Sequence, residues 1–174
     1  MTRILAYILI GTIQWMPLLS ADQVQTQAIR EKTEKESGSI TFNAPIGWRF
    51  AEAKDLPKSV KVMVIGKGIN EFPPSINLGV EEYKGTLAQY LKKIKEINAS
   101  KGFVWKDLGN VKTEAGVASL SQVDTKTNWG EVRMMHVILQ KDQTIYIMTA
   151  AALACEFATY YKDFFAAFQS LKFT

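Results

Sequence analysis

The stretch Gly130-Glu131-Val132-Arg133-Met134-Met135-His136-Val137-Ile138-Leu139-Gln140 decides the fold class. A β-strand sends successive side chains to opposite sides. Val132, Met134, His136 and Ile138 therefore share one face, and Met135, Val137 and Leu139 share the other. Both sets are apolar enough to be buried, so the sheet containing this strand is covered on both sides. Working outward, strand candidates lie at about residues 103–111, 117–124 and 144–152, with turn chemistry at Gly109-Asn110, Asn128-Trp129-Gly130 and Lys141-Asp142-Gln143. Connections this short join antiparallel neighbours, because a parallel crossover needs about a dozen residues or more.

Further towards the N-terminus, Ser39-Ile40-Thr41-Phe42, Lys61-Val62-Met63-Val64-Ile65 and Ser75-Ile76-Asn77-Leu78-Gly79-Val80-Glu81 read as strands. A loop with Gly66, Gly68 and Pro73-Pro74 separates the last two. Thr86 and Gln89 have the spacing of a capping box, which opens a helix. Leu87, Tyr90, Leu91, Ile94 and Ile97 then recur at helical intervals until Gly102 stops the helix. A closing helix at about residues 156–170 carries Phe157, Tyr161, Phe164, Phe168 and Leu171 on one stripe. The expected fold is α+β: a central antiparallel sheet with helices on both faces, in one domain over residues 39–174.

Residues 1–38 differ in kind. Arg3, the apolar run Ile4–Ile13, Pro17 and the small residues Ser20-Ala21 form the pattern of a secretory signal peptide over residues 1–21. The run falls short of the ~20 residues that span a bilayer, and Gln14 and Pro17 interrupt it. The alternative, an uncleaved anchor, would keep the protein beside a membrane. Residues 22–38 are polar and charge-mixed, the composition of a flexible leader. The expected localisation is exported, periplasmic or secreted.

The 174 residues are 47% apolar and 22% charged, with one Cys and one His, an ordinary globular composition. One Cys excludes an intramolecular disulfide and multi-cysteine metal sites, and one His excludes multi-histidine ligand sets. No cofactor or metal site is expected. Of 21 basic residues only Arg3, Arg30, Arg49 and Arg133 are Arg, so bidentate phosphate recognition is poorly served and no nucleic-acid partner is expected. Lys92, Lys93 and Lys95 read as the solvated side of a helix.

Several landmarks occur in a familiar order. They are Phe42-Asn43-Ala44-Pro45-Ile46-Gly47-Trp48, then Pro74–Glu81, then the capped Thr86–Asn98 helix, the hairpin around residues 117–150, and the closing Tyr160–Phe173 segment. In that order the chain resembles the PsbP-like superfamily over about residues 39–173. This family includes an extrinsic photosystem II subunit, a nuclear Ran-release factor and many bacterial exported proteins. The resemblance implies an αβα sandwich and a non-enzymatic assembly or binding protein, most consistent with a bacterial exported member. It carries no site residue across.

Candidate chemistry is sparse. His136 lies mid-strand and reads as a structural group. Cys155 precedes the closing helix. It is either a small buried hydrophobe or a reactive thiol. Gly66-Lys67-Gly68 lacks the third glycine and the following helix of a dinucleotide fingerprint. Asn98-Ala99-Ser100 fits a glycosylation acceptor. Phe72-Pro73-Pro74 in a loop and Trp129 at a hairpin tip are the candidate partner-binding residues, either exposed as anchors or folded back on the sheet edge. The expected function is a non-catalytic exported protein that docks, as a monomer, on an envelope or secreted protein. A chaperone-like or lipophilic-ligand carrier in the periplasm is the alternative.

Overall fold

A computed structural model describes residues 40–174; the expected signal peptide and leader lie outside the described residues. The elements are β1 (Ile40–Thr41), β2 (Arg49–Phe50), a 3-10 turn (Ala53–Asp55), β3 (Val60–Ile65), β4 (Ser75–Glu82), α1 (Leu87–Ser100), β5 (Val104–Thr113), β6 (Gly116–Thr127), β7 (Gly130–Lys141), β8 (Thr144–Leu153), α2 (Phe157–Gln169) and β9 (Lys172–Phe173). Seven strands form one sheet in the order β2-β3-β4-β8-β7-β6-β5, while β1 and β9 pair separately. All pairings are antiparallel. The α+β class expected from the sequence is what the chain adopts.

The reading of β7 explains the core. Met135, Val137 and Leu139 join a cluster with Phe157, Phe164 and Phe168 of α2. Ile138, from the alternate set, packs with Ile145 and with Tyr90 and Ile94 of α1. Val132 and Met134 join a third cluster with Val123, Ala151 and Leu153. The sheet is thus buried on both faces along its central strands.

Four local expectations need correcting. Gly109-Asn110 makes no turn: β5 runs on to Thr113, and Gly109, at φ 87°, accommodates a bulge opposite β6. The chain reverses instead at Glu114-Ala115, where Thr113 Oγ1 accepts from the Ala115 N–H at 3.1 Å. On α2, Tyr161 lies on the border of the stripe, 47% exposed and stacked on Phe165, and Tyr160 takes its place inside. Asn98 is buried, donating to the Ile94 carbonyl at 2.7 Å, so it is no glycan acceptor in the folded domain. Cys155 is exposed, which rules out the small-hydrophobe reading.

The capping box of α1 is present as expected. Thr86 Oγ1 accepts from the Gln89 N–H at 3.3 Å, and Gln89 Oε1 accepts from the Thr86 N–H at 2.9 Å. Gly102, at φ 72°, ends the segment. Thr86→Ala removes one of two reciprocal bonds and is expected to cost ~1 kcal/mol in chemical denaturation. An unchanged midpoint would mean that the cap carries no stability.

Candidate functional site

Because every neighbour in the sheet is antiparallel, one end of it collects five connections: residues 42–48 before β2, 66–74 between β3 and β4, 101–103 before β5, 128–129 between β6 and β7, and 154–156 after β8. All the candidate partner-binding residues, and Cys155, fall at this end.

The 66–74 loop arches across it and is rooted at three points. The Gly66 N–H donates to the Pro74 carbonyl at 2.8 Å. Tyr160 Oη donates to the Lys67 carbonyl at 3.3 Å. The Asn70 side-chain amide donates to the Glu156 carboxylate at the start of α2. Gly66 is obligatory here, since a Cβ would stand 2.6 Å from the Trp48 ring and 2.9 Å from Pro74. Pro74 is buried and Pro73 half-buried, so the pair braces the loop.

Phe72 and Trp129 do not stand free. Their rings meet at 5.7 Å between centroids, and both pack, half-buried, with Phe103 and Trp105 over the Val123–Val132–Met134–Ala151–Leu153 cluster. The structure therefore joins two features that are 57 positions apart in the sequence into one aromatic patch. Nothing local to either segment signals that pairing; it follows from the β4–β8–β7 register.

Cys155 lies between Leu153 of that cluster and buried Glu156. Glu156 uses one oxygen on Asn70, and its Oε2 has no hydrogen-bond partner among the described residues.

The one histidine sits deeper. Register aligns Asp107, Ser121, His136, Thr149 and Asn77 across five strands. His136 Nδ1 lies 2.9 Å from Thr149 Oγ1, and Trp105 stacks over the imidazole at 6.0 Å. Burial pushes the imidazole down to about 4, which keeps it neutral. Ser121 beside it is fully buried, and its hydroxyl bonds nothing among the described residues. Asp107 is held below the usual carboxylate range by hydrogen bonds from Lys95, at 2.5 Å, and from Trp105 Nε1, at 3.0 Å. The serine stands between acid and histidine, whereas nucleophilic catalysis needs the histidine between the other two. Among the described residues no group of three or more His, Cys, Asp or Glu could hold a metal ion.

No protein-family model matches the sequence, and no curated protein does. Solved structures do match. LpqN, described as involved in cell envelope biogenesis of Mycobacterium tuberculosis, aligns with a TM-score of 0.57 at 15% identity, over 80% of this chain and 87% of its own. The Pseudomonas aeruginosa protein PA94, of unknown function, aligns at 0.52 and 14% identity, over 77% and 96%. The Saccharomyces cerevisiae Ran-binding protein Mog1p aligns at 0.51 and 16% identity, over 78% and 86%. Identities this low speak to architecture alone, and the architecture agrees with the order of landmarks in the sequence: this chain has the fold of the PsbP/Mog1 family.

Proposed function

We propose that the protein is a non-catalytic, exported binding protein that docks through the loop end of its sheet on a protein of the cell envelope. On this reading residues 1–21 are the signal peptide, residues 22–38 a leader, and residues 39–174 an αβα sandwich with one helix over each face. It acts as a monomer, with Phe72, Pro73 and Trp129 as contact residues, buried Pro74 bracing them from beneath, and the Cys155 thiol at the edge of the contact. The observation that carries this reading is the half-buried Phe72–Trp129 patch, in which Phe72 stands on a loop rooted at three points and Trp129 on the β6–β7 hairpin. A pre-ordered aromatic patch loses little entropy on binding. LpqN is involved in cell envelope biogenesis and Mog1p binds Ran, precedents that support an envelope location and a protein partner. A carrier would need room between the sheet and α2, and Phe157, Phe164 and Phe168 fill that space.

The test is affinity recovery from the native envelope with the full chain and with a Phe72→Ser/Trp129→Ser variant. A discrete partner should be recovered by the parent and reduced roughly tenfold or more by the variant, as for loss of an interface hot spot. Equal recovery by a variant that keeps its thermal midpoint would reject this surface.

A further inference from the structure

The most exposed large hydrophobic residues among those described are Ile46, at 102%, and Ile69, at 75%. Neither belongs to a core cluster. Both stand at the loop end, on segments that leave the sheet side by side from the Arg49–Ile65 pair. Ile46 occupies a hydrogen-bonded turn in which the Trp48 N–H donates to the Pro45 carbonyl at 3.2 Å and Gly47 has φ 80°. That conformation belongs to a type II turn, in which the residue before the glycine sits at the outer corner. The turn is anchored beneath by Trp48, whose ring meets Tyr160 and Phe164 edge-on at 6.3 and 6.0 Å. Ile69 rides on the loop rooted through Gly66, Lys67 and Asn70. Two aliphatic side chains are thus held out into solvent by well-anchored backbone.

The charges beside them point to the occupant. Arg49 and Lys67 flank the two tips, and Lys101 and Lys126 are also exposed at this end, against Glu71 and Glu131. A protein interface concentrates its energy in side chains packed into pockets. Separate protruding aliphatics with exposed cations beside them, four against two acids at this end, instead match a lipid surface, which accepts an apolar tip without a shaped pocket and attracts nearby Lys and Arg when it is anionic. Trp129 at the adjacent hairpin tip has the character of a side chain that settles at headgroup level.

We propose that the loop end seats on an anionic bilayer, with Ile46 and Ile69 entering the headgroup–acyl boundary and Arg49 and Lys67 meeting lipid phosphates. This contact is separate from any anchoring by the N-terminal apolar run, and it does not depend on the Phe72–Trp129 patch binding a protein.

The test uses the full chain with Cys155→Ser and a single environment-sensitive fluorophore, placed through Ile46→Cys or, at the opposite end of the sheet, through Lys84→Cys. Phosphatidylcholine vesicles are compared with vesicles that also contain phosphatidylglycerol. The label at position 46 should shift to the blue and brighten several-fold with phosphatidylglycerol only, the response should fade in high salt, and Arg49→Glu/Lys67→Glu should abolish it. The label at position 84 should stay unchanged. An N-terminal anchor would bring both labels to the vesicle without immersing either. No response at position 46, equal responses at 46 and 84, or an equal response to uncharged vesicles would each overturn the proposal. So would a response to native envelope membranes but none to protein-free vesicles, which would assign the loop tips to a protein instead. Failure of the Phe72→Ser/Trp129→Ser recovery test leaves the position 46 response standing, so the two readings fail separately.

Discussion

Phe164→Ala is expected to lower the stability of the protein by ~3–5 kcal/mol, the cost of removing a buried phenyl ring and leaving its cavity. Phe164 is 0% exposed and touches the rings of Trp48, Phe157 and Tyr160. A domain of this size has only ~5–15 kcal/mol in total, so the urea midpoint should fall by a large fraction. Tyr161→Ala, three residues earlier on the half-exposed border of α2, is the control and should leave the midpoint nearly unchanged. A parent-like midpoint for Phe164→Ala would mean that α2 does not seal the sheet. It would also revive the lipophilic carrier, since the same side chains would then line a groove.

Acid should destabilise the protein through His136. The unfolded imidazole titrates near 6.5 and the folded one, desolvated by burial, near 4. Above pH 6.5 both states are neutral and nothing is lost. Between 6.5 and 4 the unfolded state binds the proton and the folded state does not, so stability falls with pH by up to about 3 kcal/mol. Below the folded value the effect saturates. Glu81, whose carboxyl is raised by burial, contributes the opposite slope above its ordinary value of 4.5, within the same acid range, so the diagnostic is the difference between parent and variant. His136→Asn, followed by denaturation at several pH values, should flatten the loss between pH 6.5 and 4 whatever its absolute stability. An unaltered slope would assign the acid sensitivity to other groups.

Much of this architecture is legible in residue pattern because burial imposes periodicity. The double-faced run of β7 and the Thr86–Gln89 cap are local signals with local causes. The misreadings arise where one residue type serves two geometries. Glycine with positive φ makes a bulge at Gly109 as readily as a turn, and Tyr161 and Tyr160 both lie near the border of an aromatic stripe. Asn98 fits a surface motif but turns inward to bond the Ile94 carbonyl. Phe72 and Trp129 are each visible as unusual residues, whereas their contact depends on long-range register that no short window contains. The same holds for Ile46 and Ile69, unremarkable in composition and conspicuous only once the loops are seen to emerge side by side.

The strand order carries a kinetic consequence. The sheet consists of two meanders, β2-β3-β4 and β5-β6-β7-β8, sewn together along the single seam from Ser75–Ala151 to Glu82–Thr144. Each meander closes through hairpins or short loops, but the seam joins residues 62–76 positions apart, and such contacts form late because loop closure must precede them. Until the seam closes, Ile76 and Leu78 on one meander and Met148 and Ala150 on the other lie on unpaired edge strands, which are templates for pairing with other chains. The interval between the two meanders folding and the seam closing is therefore when this chain is most prone to aggregate. Substitutions that slow β4–β8 docking should reduce yield out of proportion to their effect on the finished fold.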